Sequence, residues 1–281
     1  MSYEVQLHTH TWRCQHAEGD VVAYARIAAE GGCRVLGISD HMPHPDGRWP
    51  EVRMGIADLD AYEAAVALAA REVPDLEIVL GMECEYLPEL DAFYEDELKG
   101  RRGYRYLIGA GHYIEVDGRW RGAFENAKTP AGLRAYAALL ERTMASGHFA
   151  FIAHPDCVGA GIDAMSADVD ACFRDICAAA VATDTPLELN AYGLRKGWKD
   201  TADGRRPGYP WDPFWAIAAE AGVRVVRSSD AHRPQDVLHG HAELGRIIAR
   251  HGLDEVDALT LVQPCTRGSV SQDAPPQAPI V

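Results

Sequence analysis

Short, nearly unbroken apolar runs alternate along this chain with longer stretches whose apolar residues recur at helical spacing. The runs fall at residues 3–8, 35–41, 76–83, 106–112, 149–154, 186–190 and 223–228. Runs of this length and continuity suit parallel strands, which are buried on both faces. Between and after them, 20–30, 58–72, 90–98, 129–146, 166–182, 212–221 and 237–251 read as amphipathic helices. Gly31-Gly32 and Gly222 stand where two of these helices should stop, and Thr129-Pro130 has the form of an N-cap followed by a first-turn proline. Seven βα units without an eighth strand predict an α/β fold, a closed or nearly closed barrel. The segment 195–211, rich in glycine, proline and basic residues, reads as a long loop over the barrel mouth. One barrel unit is expected over residues 1–265, followed by a disordered tail at 266–281 where prolines replace core-forming residues.

Composition then narrows the function classes. No apolar run approaches the ~18 residues needed to span a membrane. The first residues lack the basic region and apolar core of a secretory signal. Seven cysteines without Cys-x-x-Cys spacing argue against a disulfide framework or a cysteine zinc knuckle, and for a reducing cytoplasm. A net charge of −15 argues against long nucleic acid as a partner. It leaves room for a small anionic substrate if cations gather at the site.

The candidate chemistry sits at the strand ends. The first run ends in His8-Thr9-His10, with His16 beyond it, and the seventh in Asp230-Ala231-His232. Residues i and i+2 of a strand share a face, so each pair projects together. The intervening runs end in His41, Glu83, His112 and His154, and only the sixth lacks a metal-competent end. In a parallel barrel all these ends lie on one rim, where active sites are built. Imidazoles and carboxylates in that combination are ligands for zinc, iron or manganese. Alternation does not separate Glu83 from Glu85, so either carboxylate is a candidate for the centre of the cluster. Asp40 is a candidate for orienting a ligand or for a hydrogen bond at the strand end. His44, His148, His239, His241 and His251 mark no strand end and read as surface or loop residues.

The segments His8-Thr9-His10, His16, Ser39-Asp40-His41, Gly81-Met82-Glu83, Gly111-His112, Ala153-His154-Pro155 and Ser229-Asp230-Ala231-His232 together resemble the PHP (polymerase and histidinol phosphatase) family, in the family's order. The resemblance implies a distorted (β/α)7 TIM-like barrel and a centre of three divalent cations. It assigns His8, His10, Glu83 and Asp230 to one metal. A second would share Glu83 and take His112 and His154; a third would take His16, His41 and His232. It also prefers Glu83 to Glu85 as the bridge, from its place in the Gly-x-Glu pattern.

Within the family, Glu188-Leu189-Asn190-Ala191-Tyr192-Gly193-Leu194-Arg195-Lys196, Tyr209-Pro210 and Cys14-Gln15-His16-Ala17 are similar to the branch that hydrolyses L-histidinol phosphate. That likeness implies a phosphomonoesterase of histidine biosynthesis, in which a metal-bridging hydroxide attacks phosphorus. Arg195 becomes a phosphate clamp with Lys196 beside it, since a guanidinium fork suits phosphate oxygens. A metal-bound water, Asp230 or His232 is a candidate to protonate the leaving alcohol. The substrate's amine calls for a carboxylate or an aromatic face, for which Glu85, Glu115, Trp120 and Glu125 are candidates. The loop 197–208 is longer and more charged than in the branch, and Ala191-Tyr192 replaces smaller residues, which bears on substrate preference more than on metals. The alternatives within the family are a phosphodiesterase or nucleotidase acting on nucleoside phosphates, and a metal-binding module without activity. A metal-dependent amidohydrolase is the alternative from related barrels.

Overall fold

The computed structural model describes residues 4–262. Eight parallel strands form one curled sheet. They are β1 (Val5–Gln6), β2 (Val35–Ile38), β3 (Glu77–Glu85), β4 (Tyr106–Ala110), β7 (Phe151–Ile152), β8 (Leu187–Asn190), β11 (Arg224–Ser228) and β12 (Asp254–Glu255), paired in that order. The first seven coincide with the seven apolar runs. The eighth corrects the expectation of seven strands: β12 is two exposed acidic residues, so no apolar run announces it.

The ring nevertheless closes on itself above β12. Thr9, just past β1, bridges Ala231, just past β11, and His10 N–H donates to Ala231 O at 2.9 Å. The first and seventh strands therefore meet at their carboxyl ends, where they carry His8, His10, Asp230 and His232. A TIM-like (β/α) barrel results, in which β12 extends the sheet beside the amino end of β11.

The helices lie where periodicity placed them. Val21–Glu30, Pro130–Ala145 and Ala167–Thr183 are capped by the side chains of Asp20, Thr129 and Ser166 respectively. Leu59–Glu72, Phe93–Arg101, Asp212–Ala221 and His241–His251 complete the outer layer. The final helix starts at residue 241 rather than 237, because Gly240 turns the chain with φ +82°. Inside the ring, Leu7, Val35, Val79, Tyr106, Ile108, Phe151 and Val226 make an apolar plug. Tyr106 crosses this interior to donate to Leu7 O, and a Cβ at Gly37 or Gly81 would collide with its ring at 2.0 and 2.3 Å. Those glycines are thus required for the plug on which the rim residues stand.

Two antiparallel hairpins depart from the sequence reading. One joins β5 (Tyr113–Val116) to β6 (Arg119–Gly122); the other joins β9 (Trp198–Thr201) to β10 (Gly204–Pro207) inside the segment expected as irregular loop. The second is tied down by cations: Lys199 donates to the carbonyls of Gly159, Ala160 and Ile162, and Arg206 to Gly159 and Ile162. Cys14, Cys33, Cys84, Cys157, Cys172 and Cys177 are all buried free thiols. Among the described residues no helix is long and apolar enough to cross a membrane. The expected tail at 266–281 and Cys265 lie outside the described residues.

Candidate metal centre

The rim residues converge. Glu83 lies at the middle: Oε1 is 3.2 Å from His154 Nε2, 3.5 Å from His8 Nε2 and 3.6 Å from His112 Nε2. Its Oε2 is 2.8 Å from His41 Nδ1 and 3.4 Å from His10 Nε2. Asp230 Oδ1 is 3.2 Å from His10 Nε2 and 3.4 Å from His232 Nδ1. The His16 ring faces those of His41 and His232 at 5.4 and 4.9 Å. All nine expected ligands therefore share one cluster. Five groups in and around it, His8/His10/Asp230, His41/Glu83/His112, His10/His41/His232, His10/Cys14/Asp40 and Cys14/His16/His232, bring their ligand atoms within 4.8 Å of one another. His10, His41 and His232 each belong to more than one of these groups. Cys14, whose sulfur joins the last group, was not read as a ligand, since a lone cysteine carries no spacing signal.

Local backbone aims these side chains. His154 and Asp230 adopt φ of +28° and +47°. Positive φ is costly for residues other than glycine and is retained where surrounding structure enforces it, commonly at functional sites. Here it turns each side chain sharply inward at the end of its strand.

The electrostatics suit cations. Burial alone would raise the Glu83 carboxyl, but the imidazoles of His112, His8 and His41 outweigh it and hold Glu83 well below its usual range. Asp230 is likewise held down, against burial, by His8 and His10. Burial pushes His41 down to about 3, and it lowers His16 and His232 as well, with His10 adding to both. Ionised carboxylates and neutral imidazoles are the forms that bind metal, so His8 and His154, which against burial their hydrogen-bonded and charged neighbours raise well above the ordinary value, give up protons as a cation binds. Asp230 Oδ1 and His232 Nε2, both buried, have no hydrogen-bond partner among the described residues. Buried polar atoms are rarely left so. The residues present fit a multinuclear divalent metal centre.

A second layer holds the ligands. Glu188 Oε1 accepts from His8 Nδ1–H at 2.7 Å, and Oε2 accepts from the His154 backbone N–H at 2.8 Å. Against the lowering effect of burial, Glu188 and then Asp230 and Glu83 raise His8 well above its ordinary value, which makes it a more basic ligand. Asn190 Nδ2 links Glu188 to Asp230, at 2.8 and 3.0 Å. Asp40 accepts both the N–H and the hydroxyl of Thr11, at 2.8 and 2.7 Å, fixing the chain just after His10. Glu188→Gln is expected to lower metal affinity and kcat/KM by about 10–100-fold, the usual cost of losing such a partner. Metal titration with phosphate-release assays would show it; parental values for both would remove Glu188 from this role.

Substrate candidates fared differently. Glu85 is not open to a ligand: it is 1% exposed, paired with Arg53 at 2.9 and 3.2 Å, and accepts from His112 Nδ1–H at 2.8 Å. It orients His112 instead. Glu115 is exposed on β5 and does not line the cavity over the cluster. Arg195, expected as a clamp, donates through Nη2 to the carbonyls of Ser229 and Asp230, at 2.7 and 2.8 Å, and lies behind Asp230 rather than on the cavity wall. Lys196 does line the cavity, its ammonium 4.4 Å from the Tyr192 ring and 5.1 Å from Phe124. Tyr192 in turn stacks on His232 at 4.3 Å and 10°. Two histidines expected at the surface are buried: His44 against Glu85, and His241 against Gln6.

Residues 6–191 match the PHP domain, and the chain belongs to the PHP family. Its relatives are more particular. It is 32% identical over 242 residues to a protein of Deinococcus radiodurans described as a probable histidinol-phosphatase, covering 82% of this chain and 86% of that one. The crystal structure of the Listeria monocytogenes protein assigned as the histidinol phosphatase hisK superposes with a TM-score of 0.67 at 22% identity, over 85% of this chain and 99% of that one. The histidinol phosphate phosphatase of Lactococcus lactis, crystallised with zinc, L-histidinol and phosphate, superposes with a TM-score of 0.67 at 14% identity, over 90% and 95%. At those identities the two structures attest the fold.

Proposed function

We propose that this chain hydrolyses L-histidinol phosphate to L-histidinol and inorganic phosphate at a centre of three divalent cations, zinc, iron or manganese. The likeness to the Deinococcus protein over most of both chains carries this reading. The site supports it. A cavity of about 360 Å³ lies over the cluster, walled by Tyr113, Phe124, Tyr192, Lys196 and Tyr209. That volume suits a small molecule rather than a nucleic-acid strand.

When bound, divalent cations would supply Lewis acidity, polarising phosphoryl oxygens, acidifying water and offsetting charge on the leaving alcohol. His8, His10, His16, His41, Glu83, His112, His154, Asp230 and His232 would hold them. The reaction forms a bond from water oxygen to phosphorus and breaks the ester P–O bond; one proton leaves the water and one reaches the departing alcohol. Lys196, which lines the cavity and has no ion pair among the described residues, would meet the phosphate with a compact positive charge. Arg195 acts through Asp230, by fixing the backbone carbonyls beside it. Tyr192 holds the plane of His232 by stacking.

Phosphate release by the metal-loaded protein from L-histidinol phosphate, AMP and p-nitrophenyl phosphate tests the reading. A kcat/KM for L-histidinol phosphate of about 10⁴ M⁻¹s⁻¹ or more, far above the other two, is expected. Preference for AMP would move the chain to the nucleotidases, and no release from any ester would leave a metal-binding module.

A further inference from the structure

The cavity wall carries one carboxylate that the metal cluster does not use. Of the three acidic residues that line it, Glu83 and Asp230 belong to the cluster, and Glu125 is the third. Glu125 forms no ion pair with any described residue, and it follows Phe124, whose ring lies 5.1 Å from the Lys196 ammonium. Its carboxylate folds back over Gly122: a Cβ on Gly122 would stand 2.6 Å from Glu125 Oε2. Gly122 itself lines the cavity, so the fold-back turns the carboxylate along the cavity wall. Glu85 is consumed by Arg53, His44 and His112, and Glu115 lies outside the cavity, so neither competes for the role.

We infer that Glu125 is the specificity-determining residue that receives a substrate ammonium, side by side with the phosphate-binding Lys196. The inference rests on the proposed substrate, L-histidinol phosphate, whose amine sits one carbon from the ester carbon, and assigns that amine its partner. In such a molecule the ammonium and the phosphate are only a few bonds apart. A receptor for it needs an anion and a cation placed close together but not paired with each other. Lys196 and Glu125 are such a pair: both line the cavity, both are exposed to it, and they are not bonded to each other. A nucleoside monophosphate has no ammonium at that distance and gains nothing from Glu125.

The test compares kcat/KM of the wild type and Glu125→Gln on L-histidinol phosphate and on the analogue in which hydrogen replaces the amino group. The wild type should favour the amino ester. Glu125→Gln should lower kcat/KM for the amino ester by about tenfold, chiefly through KM, the scale of one charge-assisted hydrogen bond. The loss on the analogue should be much smaller, so the ratio between the two esters collapses toward one. Gly122→Ala, which displaces the same carboxylate, should shift the ratio in the same direction. An unchanged ratio in Glu125→Gln, whether both esters slow or neither does, overturns the inference alone, as does a collapse of the ratio in Glu115→Gln instead. If the wild type hydrolyses neither ester, the substrate reading falls and takes this inference with it.

Discussion

Glu83→Gln is expected to abolish turnover and to empty much of the metal centre. The two oxygens of Glu83 face five imidazoles, those of His8, His112 and His154 on one side and those of His10 and His41 on the other. Asp230, the other carboxylate of the cluster, faces only three, His8, His10 and His232. An amide presents one oxygen and one N–H₂ donor, so half of that surface becomes a donor aimed at ring nitrogens and cations. We expect kcat to fall by more than about 10²-fold, the scale of losing a single electrostatic stabiliser, because ligand geometry is lost as well. Metal content of the purified variant should fall with it. Near-parental activity and metal content would show that the bridge is not Glu83, leaving Glu85 as the next carboxylate to examine.

The largest stability effect is expected at Arg53, 30 residues upstream of Glu83 in the chain and bonded to Glu85 at the edge of the cavity. Its guanidinium donates to Met42 O at 2.7 Å and to Glu85 at 2.9 and 3.2 Å, with both side chains 2% exposed. Burial alone would raise Glu85; Arg53 and then His112 outweigh it and keep the carboxylate ionised. Arg53→Met removes the charge but keeps much of the apolar stem, stranding a buried carboxylate. Breaking a buried pair from one side costs about 3–5 kcal/mol. For a domain of this size that lowers Tm by on the order of 10 °C. Thermal unfolding of the metal-loaded protein measures it. The double variant Arg53→Met/Glu85→Met should recover part of the loss, since no charge then remains unpaired. A Tm within about 2 °C of the parent for Arg53→Met would mean that water or local rearrangement already screens Glu85.

The strands and the nine rim ligands were legible because two periodicities coincide there. Near-continuous apolar runs mark buried parallel strands, and the residues that end them, His8 with His10 and Asp230 with His232, are spaced to share a face. The second layer was not legible. Glu83 and Glu85 also share a face by that rule, and what separates them is Arg53, brought by a loop that follows a different strand. Glu188 reaches His8 across 180 residues, a pairing that only closure of the ring creates. The Arg195 clamp was read from a short run of residues; the chain beyond β8 forms one helical turn, Tyr192–Arg195, which turns Arg195 toward the Ser229 and Asp230 backbone and Lys196 into the cavity.

The hairpin β5–β6 did carry a signal. Asp117-Gly118 joins its strands with φ of +52° and +69°, the two-residue turn for which Asp-Gly is a known preference. It was masked by the polar residues around it, Glu115, Arg119 and Arg121, which read as loop. The hairpin matters because it delivers Tyr113 to the cavity wall, where Trp49 stacks on it at 3.9 Å and 4°. The strand β12 carried no signal of any kind, being two acidic residues held by pairing with β11.

Every role proposed for these residues depends on the converged strand ends forming a multinuclear metal centre. Metal analysis of the protein, purified without chelators and corrected for protein concentration, tests it most directly. About three equivalents of zinc, iron or manganese per chain are predicted, lost together with activity on prolonged chelation and restored together on reloading. Fewer than one equivalent after reloading, or full phosphatase activity in a protein stripped of metal, would contradict it.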